Sequence, residues 1–454
     1  MAERSFDVIV IGAGPAGEVA AGRLADGGVE VAIVEGHLVG GECSYYACMP
    51  SKALLRPAEV LAEVRRVPGA AEAATGALDV AAALVRRDEV VHDLDDSVQL
   101  PWLEERGVVL VRGRGRLDGE RRVVVGEDML VARRAVVVAT GRVPFLPPIP
   151  GLAEAGAWTN REATTAKAAP RRLVILGGGV VGVELAQAWA SLGSQVTVIE
   201  GGPRLISREE PFASEQVEAS LRAAGVDVRT GAKAERVARN GSVSVTLADG
   251  SVAEGDELLV SVGRRPATAE LGLETIGLEP GKAIEVADDL RSAAHEWLYA
   301  VGDVNGRALL THMGKYQARL AADRILGREV AIASDGFRSP RVIFTDPQVA
   351  AVGYTLAGAQ EAGLSVRAVD QETGGNAGGS FVGRGAPGTS RLVIDEERRI
   401  VVGATFTGTD VAEWVHAATI AVVGEVPLDR LWHAVPSFPT RSEVWLRLLE
   451  EYGL

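Results

Sequence analysis

The two cysteines of this 454-residue chain, Cys43 and Cys48, fall together in Gly40-Gly41-Glu42-Cys43-Ser44-Tyr45-Tyr46-Ala47-Cys48-Met49-Pro50-Ser51-Lys52. A disulfide across so short a loop removes little entropy from the unfolded chain, and a chain this long builds its core without a staple. A structural role is therefore disfavoured, and reversible thiol–disulfide chemistry is what the pair supports. Two incidental buried thiols are the alternative, and the neighbouring motifs weigh against it. Tyr45 and Tyr46, between the cysteines, are read as core packing in preference to pocket lining.

The elements that must position the pair announce themselves as a repeat. Gly12-Ala13-Gly14-Pro15-Ala16-Gly17 follows the apolar run Phe6–Ile11, and Glu35 closes the next run, Val31–Val34. Gly177-Gly178-Gly179-Val180-Val181-Gly182 follows Leu173–Leu176, and Glu200 closes Val196–Ile199. The interval from Gly12 to Glu35 is 23 residues, and that from Gly177 to Glu200 is again 23. In each unit Gly12 or Gly177 permits the tight turn, Gly14 or Gly179 lets a pyrophosphate approach the backbone, and Gly17 or Gly182 allows close helix–strand packing. The helix N-terminus faces the phosphates, and the acid at the end of the second strand is placed for a ribose diol. Two dinucleotides on one chain imply electron transfer between a held cofactor and an exchangeable one. Cys43 lies eight residues after Glu35, so the first site serves the thiols. A flavin passes electrons to a disulfide and nicotinamide gives hydride to a flavin, so the first site is assigned to FAD and the second to NAD.

Two further strands, Val136–Ala139 and Leu258–Val262, end in the same Gly-Arg-x-Pro exit, at Gly141 and Gly263. Thr140 and Gly141 are assigned to the FAD site and Gly263 to the NAD site. The stretch Pro144–Pro150 reads as a rigid crossover. The expected domains are 1–147 for FAD, 148–266 for NAD(P), 267–334 returning to complete the first, and 335–454. The chain is 47% hydrophobic, and 47 basic against 61 acidic residues leave a net charge of −14, which argues against nucleic acid or an anionic membrane as partner. The start, Met1-Ala2-Glu3-Arg4 before a short apolar run, does not read as a secretory or membrane-spanning segment, so a cytoplasmic location is expected. No metal site is read from the sequence.

In this order, across nearly the whole chain, these motifs resemble the pyridine nucleotide–disulfide oxidoreductases, which include dihydrolipoamide dehydrogenase, glutathione reductase and mercuric reductase. Gly40–Leu55 matches the redox box Gly-Gly-x-Cys-x-x-x-x-Cys-x-Pro-Ser-Lys at every defining position. The resemblance implies an α/β fold with two Rossmann-like dinucleotide-binding domains, for FAD and NAD(P), and a C-terminal α+β dimerisation domain. It makes Cys43 the interchange thiol, Cys48 the thiol at the flavin, and Lys52 a flavin-edge lysine paired with Glu184. It adds Gly41, Gly115 and Asp303 to the FAD site, with Asp303 at the ribityl chain and Gly115 at the adenine. A homodimer is implied, each active site completed by the partner's C-terminus. Glu200 favours NADH over NADPH, because a carboxylate repels a 2′-phosphate; Arg204, four residues on, leaves some NADPH binding open.

The pattern breaks near the C-terminus. Thiol-reducing members carry His-Pro-Thr-x-x-Glu, and aligning Pro439, Thr440 and Glu443 puts Phe438 where the histidine stands. Phenylalanine carries no proton, and losing such an acid–base group typically costs about 10²–10⁴ in rate. His433 is a candidate substitute, set against a role at the dimer interface. Mercuric reductase has tyrosine at this place but adds a C-terminal cysteine pair, and the ketopropyl-coenzyme M reductase/carboxylase has phenylalanine but lacks the glutamate. The leading expectation is a dihydrolipoamide-dehydrogenase-like NAD(P)H disulfide oxidoreductase, passing electrons from NADH through FAD and the Cys43–Cys48 disulfide to a small-molecule disulfide or other acceptor. The alternatives are a flavin-only quinone reductase or diaphorase, and carbon–sulfur cleavage of the ketopropyl-coenzyme M type.

Overall fold

Runs of β-branched residues such as Val8-Ile9-Val10 are buried on both faces, as strands of a parallel sheet covered by helices must be. In the computed structural model, which describes residues 3–454, Glu3–Ile11 lies at the centre of a seven-stranded sheet. On one side it pairs in parallel with Val31–Glu35, which pairs with Val109–Arg112. On the other it pairs with the long strand Asp128–Val138. The first half of that strand forms a hairpin with Arg122–Val125, and its last residues pair in parallel with Leu298–Ala300. Four helices belong to the argument: α1 (Pro15–Asp26), α2 (Gly41–Tyr45), α3 (Cys48–Arg66) and α4 (Thr311–Ile325). Proline at the first turn of α1 starts it without losing a needed donor. Ala20, Ala21 and Leu24 of α1 pack with Ala318, Ala321 and Ala322 of α4 in one apolar cluster.

The chain divides into two compact units, each assembled from three stretches. The first comprises the described part of Met1–Pro50 with Arg87–Phe145 and Gly263–Gly336; the second comprises Ser51–Arg86, Leu146–Val262 and Phe337–Leu454. The second unit holds a four-stranded parallel sheet in the order Asp227–Arg229, Gln195–Ile199, Arg172–Leu176, Glu257–Val260. The helix Val180–Ser191 covers it, with Trp189 fully buried. A three-stranded antiparallel sheet, Ala234–Gly255, interrupts the chain between Asp227–Arg229 and Glu257–Val260. A five-stranded antiparallel sheet follows, its strands all within Arg341–Gly408. Phe406 of this sheet packs with Val415 and Leu448 from the helices Val411–Val423 and Val444–Tyr452. The architecture is thus α/β with a C-terminal α+β portion. Among the described residues no helix is long and apolar enough to cross a membrane.

Candidate active site

In the first unit the three motif glycines do three different things. Gly12 has φ +102°, and a Cβ there would lie 2.6 Å from the Ala139 carbonyl oxygen. A Cβ on Gly17 would lie 1.8 Å from the Gly12 carbonyl oxygen, so α1 approaches the turn only without a side chain. Gly14 meets nothing closer than Gly41 Cα at 4.0 Å, which leaves the start of α1 open on the side where a pyrophosphate would lie. No side chain caps α1. The Glu35 carboxylate accepts hydrogen bonds from the Ala13 and His37 amides, each at 2.7 Å, and so sits at the rim of that turn.

Further polar groups around the turn suit a large, hydrogen-bonding cofactor. Thr140 Oγ1 is buried without a partner among the described residues. Burial pushes the Asp303 carboxyl up, opposed by the charges of Arg264 and Arg142. The turn bearing Asp303 is held by Gln317 of α4, whose Oε1 accepts from Gly302 N at 2.8 Å. Gly41 has φ +59° and Gly141 φ +69°, both turns that glycine favours. At Gly115 a Cβ would press on Val34 and Ile11 at 3.0 and 3.1 Å, so sheet packing alone accounts for that glycine. These residues fit FAD: an unpaired buried hydroxyl, a half-buried carboxyl and an open helix start all lie in one unit.

Cys43 and Cys48 are in the same unit, both partly buried. Thr311, the first residue of α4, donates its hydroxyl to Cys43 Sγ at 3.3 Å and lies 3.4 Å from Cys48 Sγ. The Cys43 thiol is held well above its ordinary range by its hydrogen bond to Cys48, by burial and by the charge of Cys48, against the pull of Thr311 and Lys315. Both sulfurs thus meet the same hydroxyl, and it is the thiolate form of such a pair that is nucleophilic and reducing. Tyr45 and Tyr46 are buried with Leu38, Val91 and Leu94, which is the packing expected of them. Burial pushes the Tyr45 hydroxyl to about 12. Thr311 and Lys315 were not legible in the sequence, because nothing marks a threonine 268 residues from Cys43 as its neighbour.

The second unit repeats the cradle. Gly177 has φ +105°, and a Cβ on Gly182 would lie 1.9 Å from the Gly177 carbonyl oxygen, while Gly179 faces open space. Glu200 accepts from the Gly178 and Gly202 amides, each at 2.6 Å, in the same pattern as Glu35. Arg204 is turned back on its own loop, donating to the Ser207 and Glu209 carbonyl oxygens at 2.7 and 2.8 Å. Gly263, assigned from sequence with this site, groups with the first unit, where its carbonyl accepts from Phe145 N. Lys52 and Glu184 form an ion pair at 2.7 Å, and Glu184 is 3% exposed. The other Glu184 oxygen accepts from Phe344 N at 2.9 Å, and the Lys52 ammonium lies 4.8 Å from the Phe344 ring centre.

Phe438 is 76% exposed and Val435 81%, with Trp432 also exposed, in a segment beside which Glu443 is buried. Glu443 Oε2 has no hydrogen-bond partner among the described residues, and His433 is exposed. The neighbouring backbone leaves no latitude: a Cβ on Gly378 would lie 2.1 Å from the Thr440 carbonyl carbon. Glu59, Glu63 and Asp410 bring carboxylate oxygens within 4.8 Å of one another. Arg56 pairs with Glu59 at 2.7 Å and Arg441 with Asp410 at 2.9 Å, so the cluster is already an ion-pair network.

Residues 6–320 match the family described as pyridine nucleotide-disulphide oxidoreductase, and residues 339–448 match its dimerisation domain. A mercuric reductase of Lysinibacillus sphaericus is 30% identical over 97% of this chain and 81% of its own. A dihydrolipoyl dehydrogenase of Chlorobaculum tepidum is 33% identical over 96% of this chain and 95% of its own. Among solved structures, the HOCl-induced flavoprotein disulfide reductase RclA of Escherichia coli, as a Cu(II) complex, superposes with a TM-score of 0.86 at 26% identity, covering 98% of this chain and 99% of that one. LpdA from Mycobacterium tuberculosis gives 0.87 at 26% identity, covering 98% and 100%.

Proposed function

Because the chain belongs to the pyridine nucleotide-disulphide oxidoreductases, enzymes that use FAD and a pyridine nucleotide, we propose that it takes electrons from NADH into the Cys43–Cys48 pair and delivers them to a small disulfide or another acceptor that is not lipoamide. The observation that carries this reading is the cysteine pair itself: two sulfurs bridged by the Thr311 hydroxyl, in the unit that also holds the first cradle. FAD, when bound, supplies the two-electron relay between nicotinamide and the pair. Cys43 takes the acceptor side and Cys48 the cofactor side. Lys52 is held by Glu184, and the family resemblance of its motif gives it the flavin-edge role.

For the nicotinamide, Glu200 stands at the rim of the second cradle, and Arg204 is spent on two carbonyl oxygens rather than free for a 2′-phosphate. Both features support NADH. The exposed Trp432, Val435 and Phe438, in the stretch that matches a dimerisation domain, support a homodimer that covers them. The doubt about lipoamide rests on Phe438 and on the unpaired Glu443 oxygen, a carboxylate with no imidazole to orient.

The test is anaerobic turnover with NADH and two acceptors, lipoamide and hydroxyethyl disulfide, in the parent and in Cys43→Ser. The expected result is disulfide reduction that collapses in the variant while NADH still bleaches its flavin, with lipoamide slow in the parent. Acceptor reduction that survives in Cys43→Ser would move the electron exit to the flavin, and rapid lipoamide turnover would show that Phe438 is no obstacle.

A further inference from the structure

Helix α4 meets the cysteines with its first residue. The Thr311 hydroxyl lies 3.3 Å from Cys43 Sγ and 3.4 Å from Cys48 Sγ. The adjoining flank of the helix is pinned: a Cβ on Gly314 would fall 3.2 Å from Gly302 Cα and 3.4 Å from Ala16 Cβ of α1, and buried Gln317 accepts from Gly302 N at 2.8 Å. With α4 fixed in rotation, the residue four positions after Thr311 lies one turn along on the edge that carries Thr311. That residue is Lys315, half-buried, and among the described residues no hydrogen bond or ion pair ties up its ammonium. Its charge acts on two groups, the Cys43 thiol of α2 and the Glu18 carboxyl of α1. The other groups acting on the Cys43 sulfur are Cys48, at the start of α3, and the Thr311 hydroxyl. Cys48 and burial favour the protonated thiol, so of the two charges at Cys43 it is the ammonium that favours the thiolate.

We propose that Lys315 is the counter-charge of the Cys43 thiolate, the positive group that Phe438 does not supply to this sulfur. The inference rests on the disulfide-reductase reading above. Phenylalanine takes no proton from Cys43, so the partly buried thiol ionises by releasing its proton to water, and the thiolate is what attacks a disulfide. A nearby cation raises the thiolate fraction and lowers the nucleophilicity of each thiolate, and the first effect is the larger. Lys315 forms no bond to the acceptor and carries no proton. It acts through Cys43, as a positioning residue.

The experiment uses holoenzyme carrying Cys48→Ser, in which Cys43 is the one cysteine remaining in the chain. Its reaction with iodoacetamide is followed from about pH 5.5 to 10 with Lys315 intact and as Lys315→Met, Lys315→Arg and Lys315→Glu. Lys315→Met is expected to raise the midpoint of the alkylation profile by about one pH unit, the low end of what loss of a neighbouring opposite charge does. Lys315→Glu raises it further, and Lys315→Arg returns it toward the parent. With both cysteines present, Lys315→Met lowers hydroxyethyl disulfide turnover below that midpoint about threefold: the thiolate fraction falls about tenfold, and the more basic sulfur regains part of the loss. A midpoint that stays put in Lys315→Met and Lys315→Glu overturns the proposal and leaves the ammonium to Glu18. So does a loss of reactivity at every pH with the midpoint unmoved, or a midpoint that rises as far in Lys315→Arg as in Lys315→Met; both mark a structural role. The disulfide-reductase reading is judged by Cys43→Ser, and the alkylation midpoint does not depend on the acceptor, so the two failures are distinguishable.

Discussion

Glu184 illustrates how a single buried charge is made tolerable. Its carboxylate is almost fully buried, with Lys52 on one oxygen at 2.7 Å and the Phe344 amide on the other at 2.9 Å. Removing the cation leaves an uncompensated charge, whereas neutralising the acid leaves an acceptor for the amide. We therefore expect Lys52→Met to lower the unfolding free energy by about 3 kcal/mol and Glu184→Gln by clearly less, measured by urea denaturation of the holoenzyme. Lys52 and Glu184 were both legible in the sequence because each sits inside a motif. Thr311 and Lys315 were not: both are ordinary residues of α4, and only the fold brings them to the cysteines. The assignment of Gly115 shows the reverse case, a glycine whose presence is explained by Val34 and Ile11 alone.

At the scale of elements, the strand–turn–helix unit was readable because its constraints are local. Identical spacing produced nearly identical turns, with φ of +102° at Gly12 and +105° at Gly177, and the same two-amide clamp on Glu35 and Glu200. On the proposed assignment of the first copy to FAD and the second to NADH, parallel substitutions should fail differently. Gly17→Ala drives a methyl group to 1.8 Å from the Gly12 oxygen, and Gly182→Ala drives one to 1.9 Å from the Gly177 oxygen. The first should yield protein without flavin absorbance. The second should keep its flavin while its KM for NADH rises about tenfold, equivalent to 1.4 kcal/mol of binding. Less legible was the strand Asp128–Val138, which changes partner midway. Only its end, from Val136, was named from sequence; the strand begins at Asp128 and runs through Arg133 and Arg134, which bond Asp7 at 3.0 Å and the Ile325 carbonyl at 2.6 Å.

For the molecule as a whole, the exposed segment Trp432–Phe438 is the feature that a single chain does not explain. An apolar run of this kind belongs under a partner, and the match of residues 339–448 to a dimerisation domain supplies one of the same kind. Val435→Asp places a charge at the most exposed of these positions. It should shift the sedimentation profile toward monomer and make activity depend on protein concentration, with flavin content unchanged. The family resemblance marked this portion as a dimerisation domain from the sequence. It could not show which residues face outward, because Phe406 and Phe438 look alike until one is buried against Trp414 and Trp445 and the other is not.

The threading of the chain has a consequence for its birth. Both units are woven from three stretches, and the sheet around Glu3–Ile11 takes its last strand from Leu298–Ala300. On a ribosome adding roughly 5–20 residues per second, that strand emerges roughly 15–60 s after the first one. Neither unit is whole when its opening segment leaves the exit tunnel, so vectorial, unit-by-unit maturation is closed to this topology. During synthesis the nascent Val8-Ile9-Val10 strand and the Cys43–Cys48 box wait in incomplete company, with apolar surface exposed of the kind that makes partial chains prone to aggregate.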